Sequence, residues 1–156
     1  MFAKAKRQAA ADQGFTLIEL LVVILIIGIL AAVAIPSFLA QKGKASDASA
    51  KELVRTARTT AETYSTDHGG TYENLSPKAL NEYEKTLQIE AGKGNAYISK
   101  AEVNAGENNE GYTVTATATD GHTFTIVRKN TGEVERTCTP TKTTGSAGGG
   151  CQNGTW

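Results

Sequence analysis

Histidine and cysteine are scarce in this 156-residue chain, two of each, and there is no net charge, sixteen Lys and Arg standing against sixteen Asp and Glu. His68 and His122 stand in no recognisable constellation with a nucleophile. There is no phosphate-binding glycine loop and no paired metal ligands, so nothing here points to an enzyme, and catalytic, cofactor-binding and metal residues are all expected to be none. His68 reads as a capping or solvent group at a helix end, and His122 as the start of a strand. The balanced charge removes any general reason to expect nucleic-acid binding. The charge is unevenly spread, however: residues 1–14 carry Lys4, Lys6 and Arg7 against Asp12, a net of +2, and the remaining 142 residues are at −2. Cys138 and Cys151 lack nearby histidines and make a poor zinc site. In a chain that leaves the cytoplasm they would most simply pair with each other. The loop so closed, of about 14 residues, is worth roughly 3 kcal/mol in the chain-entropy model.

What the chain has in quantity is a single apolar run, GFTLIELLVVILIIGILAAVAIPSFL, residues 14–39. Leu20 to Ile35 are sixteen residues without a polar side chain. Taken as helix, residues 15–40 span roughly 39 Å at about 1.5 Å per residue, enough to cross a bilayer core of about 30 Å. The β-branched Val22, Val23, Ile24, Ile26, Ile27 and Ile29 would suit a strand in water. In lipid only a helix satisfies its own backbone. Gly28 and Pro36 weaken that helix, and Pro36 predicts a kink or loosening because it supplies no N–H to the carbonyl four residues back. A secretory signal peptide fits the basic leader and Ala32-Val33-Ala34, but not the length of the run or its carboxylate. A plain single-pass anchor explains the length and leaves Glu19 without a purpose, since a carboxylate deep in lipid costs about 2.5–3.5 kcal/mol. A capping box is the local account of Glu19, with Thr16 as the cap and Glu19 reaching back to it.

Gly14-Phe15-Thr16-Leu17-Ile18-Glu19, followed by about 20 apolar residues with Gly28 and Pro36, closely resembles the N-terminus of a type IV prepilin. The resemblance implies cleavage between Gly14 and Phe15 by a prepilin peptidase, with N-methylation of Phe15. It implies that Glu19 meets the N-terminal amine of a neighbouring subunit, and that Gly28 and Pro36 mark a segment that loosens when subunits pack into a filament. A carboxylate entering an apolar filament core needs a cation, which a protonated secondary amine provides. The leader is somewhat long, and Gln13 stands where many members carry a basic residue.

Beyond the run, Ala50, Val54, Ala57, Ala61 and Tyr64 form one apolar stripe of a continuing helix that ends at Asp67-His68-Gly69-Gly70. Residues 15–66 would make a rod of roughly 78 Å at about 1.5 Å per residue. Asp47→Lys51 and Arg58→Glu62 read as (i, i+4) pairs. Ser76 to Leu87 predicts a short helix capped by Ser76, with Pro77 in its first turn and Leu80, Tyr83 and Leu87 on one face. Asn104 to Gly111 reads as a polar loop, and its run Glu107-Asn108-Asn109-Glu110 as a solvated turn, since it lacks the alternating carboxylates of a calcium loop. From Tyr112 the period becomes two: Tyr112, Val114, Ala116 and Ala118 alternate with Thr113, Thr115, Thr117 and Thr119. A three-residue loop, Thr119-Asp120-Gly121, with Gly121 left-handed, aligns Ala116 with Phe124 and Val114 with Ile126. Asn130-Thr131-Gly132 turns the chain into a third strand, Glu133 to Cys138. Helix and meander each need the other to bury a core.

The expected organisation is α+β: a leader over residues 1–14, a transmembrane and assembly helix over 15–40, and a globular part over 41–156. The last divides into a helix continuation (41–66), a connecting region (67–111), an antiparallel sheet (112–138) and a C-terminal loop (139–156). A disulfide-closed C-terminal loop also resembles type IVa major pilins. Basic residues flank both ends of the greasy run (Lys42 and Lys44 follow it), so the positive-inside rule is indecisive. A structural disulfide would put the C-terminal part outside. Lys42, Lys44, Lys51, Arg55 and Arg58, interleaved with Asp47, Glu52 and Glu62, are too mixed to track phosphates. Asn74-Leu75-Ser76 and Asn153-Gly154-Thr155 fit the short glycosylation pattern. Trp156 either covers the tail loop or is an exposed contact.

The functional expectation is a pilus structural subunit, needing no cofactor, that passes through the membrane and then polymerises outside with identical subunits. Its other partners would be the prepilin peptidase and the pilus assembly machinery. Such a filament would serve motility, adhesion or DNA uptake. A minor pilin or secretion-system pseudopilin shares the motif, although the closed tail and the 142-residue length after the leader favour a major pilin. A plain single-pass membrane-anchored binding protein is the remaining alternative.

Overall fold

A computed structural model describes residues 14–104, 109–139, 150–151 and 153–156. The chain divides into two compact units, one ending at Phe38 and one running from Leu39 to Trp156. A single helix, α1 (Leu17–Asp67), contributes to both. It passes through Gly28 and Pro36 without interruption, so the loosening expected at Pro36 leaves no break in the helix.

In the Leu39–Trp156 unit the predicted stripe is the buried face of α1. Ala50, Val54, Ala57 and Ala61 are wholly inaccessible and Tyr64 nearly so. The helix ends as its sequence directs: Gly69 and Gly70 take positive φ, and the Gly70 N–H reaches back to the Ser65 carbonyl at 2.8 Å. A second helix, α2 (Pro77–Tyr83), is capped by Ser76, whose hydroxyl accepts from Ala79 N at 3.2 Å. It is four residues shorter than expected. Glu84 turns extended, and its carboxylate accepts from the Thr86 backbone and hydroxyl, holding a turn instead. Leu87 is buried from that turn rather than from the helix.

The sheet is an antiparallel meander in the order β1 (Ala96–Asn104), β2 (Gly111–Ala118), β3 (Thr123–Arg128), β4 (Val134–Thr139). It has one more strand than the sequence reading supplied. β1 lies in what read as connecting chain because a bulge hides its period: Ile98 faces Ala116, Lys100 faces Thr115, and Ser99 is the extra residue between them. Ile98 and Ala101 are therefore both buried although three residues apart. The β2–β3 register matches expectation, with Ala116 opposite Phe124 and Val114 opposite Ile126, and Gly121 sits at φ 88°. The turn at Gly132 closes through its N–H to Lys129 O at 2.9 Å. The core-side row Ile98, Ala116, Phe124 and Cys138 crosses all four strands. On the other face hydroxyls bond across strands, Thr115 to Thr125 at 2.9 Å and Thr117 to Ser99 at 2.7 Å. Helix stripe and inner sheet face share one core with Tyr72, Leu75, Leu80 and Leu87.

Cys138 and Cys151 form a disulfide, Cα to Cα 5.9 Å. The Cys138 N–H also bonds Gly154 O at 2.8 Å, so the chain's end is tied back beside β4. Trp156 lies edge-on to Phe124, ring centroids 5.8 Å apart, which answers the question of its role: it covers the core edge. The run read as a solvated turn, residues 107–110, falls partly outside the described residues, since Glu107 and Asn108 are not among them.

Candidate functional site: the N-terminal segment

Gly14 and Phe15 precede the helix, and no atom comes within 4 Å of where a Cβ on Gly14 would be. Thr16 and Glu19 then start α1 as a reciprocal cap. The Thr16 backbone N–H donates to Glu19 Oε2 at 2.8 Å, its hydroxyl donates to the same oxygen at 2.7 Å, and Glu19 N–H donates to Thr16 Oγ1 at 3.2 Å. Leu20 N–H to Thr16 O, at 3.3 Å, is the first turn's own bond. The capping account of Glu19 is thus correct as local structure. It leaves an assembly role open, because Thr16 occupies only Oε2.

From Phe15 to Leu39 seventeen large apolar side chains are exposed, Phe15 at 92%. That area is far beyond the few hundred Å² a soluble monomer usually shows as one patch, so it requires a cover of lipid or of other helices. The stretch is long and apolar enough to cross a membrane, with a mean hydropathy of 3.1. Glu19 is the only ionisable residue between Phe15 and Gln41.

His68 stacks on Tyr64 at 3.8 Å, its Nδ1 2.8 Å from Tyr64 O, which agrees with a place at the helix end. His122 immediately precedes β3. Its imidazole meets Asp47, seventy-five residues away, at 2.9 Å. No spacing in the sequence signals that pair, and Asp47 reads from the sequence as a surface partner for Lys51.

An exposed apolar helical segment with one carboxylate at its head, in a chain that also holds a small disulfide-closed α+β unit, is the combination to compare with known proteins. Residues 10–35 match the family model described as the prokaryotic N-terminal methylation motif. The chain is 33% identical over 101 residues to a type IV major pilin protein of Neisseria gonorrhoeae, covering 60% of this chain and 56% of that one. It is 32% identical over 100 residues to a fimbrial protein of Neisseria meningitidis serogroup B, covering 60% and 59%. It is 34% identical over 86 residues to a type IV major pilin protein of Myxococcus xanthus, covering 52% and 39%. The matches thus span little more than half of the neisserial relatives' length. Motif and relatives together make the chain similar to the type IV pilins over its N-terminal segment and about half of those relatives' length. The likenesses to major pilins do not favour the minor-pilin, pseudopilin or anchored-binding-protein alternatives.

Proposed function

We propose that the chain is a structural subunit of a type IV pilus, cut between Gly14 and Phe15, methylated on the new Phe15 amine and polymerised through its apolar helix. The observation that carries this is the pairing of an exposed apolar helix with a single carboxylate one turn from the cut. Cleavage leaves a cation at Phe15. In a lipid or filament interior an unpaired Glu19 is costly, whereas a neighbour's amine compensates it at the oxygen Thr16 does not use. The capping box holds that carboxylate at the head of the helix. Gly28, which lacks a side chain, and Pro36, which lacks an N–H, are where the helix has least to lose by opening as it passes from lipid to filament.

The Cys138–Cys151 disulfide supports a C-terminal part outside the cytoplasm, with the basic leader inside. The partners on this reading are identical subunits, a prepilin peptidase and the assembly machinery, with the membrane as host before export. Mass spectrometry of the mature N-terminus tests the proposal. A methylated Phe15 start is expected; an intact Met1, or a start at Ile35, would overturn it.

A further inference from the structure

Three ionisable side chains meet at one point of the Leu39–Trp156 unit. Asp47 comes from α1, Asp120 from the β2–β3 turn, and His122 from the residue before β3. One ligand atom from each lies within 4.8 Å of the others. The His122 Nδ1 atom is 2.9 Å from Asp47 Oδ1, 3.1 Å from Asp47 Oδ2 and 3.3 Å from Asp120 Oδ2.

We propose that Asp47, Asp120 and His122 form a binding site for a divalent transition-metal ion of the zinc type, which clamps α1 to the β2–β3 turn.

The first argument is charge. The Asp47 side chain is wholly buried, and that of His122 is only 16% exposed. Two carboxylates and a neutral imidazole sum to −2, and protonating the imidazole still leaves −1. A divalent ion is the kind of cation that such a set of donors attracts. The second argument is proton count. Nδ1 carries at most one hydrogen, yet faces oxygens of two different carboxylates, so it donates to only one of them at a time; the His122 backbone N–H donates separately to Asp120 Oδ1 at 3.2 Å. The third is geometry. Donors held about 2.0–2.2 Å from a common ion stand about 2.9 Å apart in an octahedral arrangement and about 3.3 Å apart in a tetrahedral one. The contacts of 2.9 and 3.3 Å match those edges.

One imidazole nitrogen with two carboxylate oxygens favours zinc and its neighbours over calcium or magnesium, which prefer oxygen throughout. The site is reachable: the Asp120 side chain is 26% exposed, and a cleft lined by Lys42, Gly43, Ser46 and Thr119 opens beside it. Water from that cleft would complete the coordination shell. Lys42 reaches the cleft on a flexible stem that can turn to solvent when the ion enters.

This inference is independent of pilus assembly. It is tested on the full chain in detergent micelles, stripped with a chelator and titrated calorimetrically with zinc chloride alone. One zinc per chain is expected, with a rise in melting temperature, and cobalt(II) should give a d–d absorption band. Asp120→Asn, at an exposed position, and His122→Ala should each weaken zinc binding by about tenfold or more, whereas His68→Ala should bind like the parent. Asp120→Asn is the variant to rely on if His122→Ala fails to fold. Absence of zinc binding, or binding that both substitutions leave intact, overturns the proposal. So does a stability that follows pH through the imidazole range yet ignores zinc, since that describes a plain histidine–aspartate ion pair.

Discussion

Glu62 gathers three side chains from other parts of the folded unit. It accepts from Tyr72 Oη at 2.7 Å and from Tyr112 Oη at 2.9 Å, and Arg128 Nε lies 3.5 Å away. Both tyrosines are essentially inaccessible, so their hydroxyls depend on that carboxylate. Arg128 also lies over the Tyr72 ring at 5.5 Å. Replacing Glu62 by Ala removes the near acceptor of both hydroxyls, leaving Tyr112 the Arg58 carbonyl at 3.5 Å, and should cost about 1–3 kcal/mol, measured by urea unfolding. A cost near zero would mean that water serves them. The same contacts set an alkaline limit. Burial, reinforced by Glu62, pushes the Tyr72 hydroxyl up to about 12 and raises that of Tyr112 as well. A tyrosine held protonated in the fold contributes stability that is fully present below the unfolded value of about 10 and is lost as pH climbs through the folded one. Unfolding monitored by tyrosinate absorbance should therefore steepen between about pH 10 and 12, and Tyr72→Phe should flatten that limb. Identical alkaline limbs for parent and variant would refute the assignment.

At the scale of elements, the bulge in β1 makes a sharper prediction than the regular strands do. Deleting Ser99 closes the bulge and leaves Ile98 opposite Ala116 and Ala101 opposite Val114, so both stay on the core side. The loss is confined to bonds such as Ser99 Oγ with Thr117, and the cost should be about 1 kcal/mol. Deleting Thr115 from unbulged β2 instead throws the residues beyond it onto the wrong face and should abolish folding. Thermal melts by circular dichroism separate the two, and equal damage would mean that the bulge is no true register shift. The same feature explains what could be read in advance. The α1 stripe was legible because helical packing repeats its period over five residues from Ala50 to Tyr64. The β2–β3 register was legible because only one loop length puts Ala116 with Phe124. β1 was not, because one extra residue cancels the alternation that marks a strand. At the N-terminus the Thr16–Glu19 cap could be read from its three-residue spacing. The meeting of Asp47 with His122 could not, because tertiary packing alone joins positions so far apart.

For the whole molecule, each compact unit has its own reason to be stable. Every residue of the buried core lies between Ala50 and Cys151, within the Leu39–Trp156 unit. The side chains from Phe15 to Leu39 are instead almost all exposed. Removing residues 1–38 should therefore yield a protein that is soluble without detergent and within about 0.5 kcal/mol of the parent unit in stability, the range of changes that touch no packed group. That truncated protein also isolates the tail. Cys138 and Cys151 close the loop that returns Gly154 and Trp156 to β4 and Phe124. Changing both cysteines to serine in the truncated background should cost about 3 kcal/mol by loop entropy, with the Trp156 contact loosened in the same step. Tryptophan fluorescence reports the tail and circular dichroism the sheet. Trp156 should thus shift toward its solvent-exposed emission before the sheet melts in the serine variant, and together with it in the parent. A truncated protein that aggregates, or melts well below the parent, would show that the greasy segment stabilises the domain as well as anchoring it.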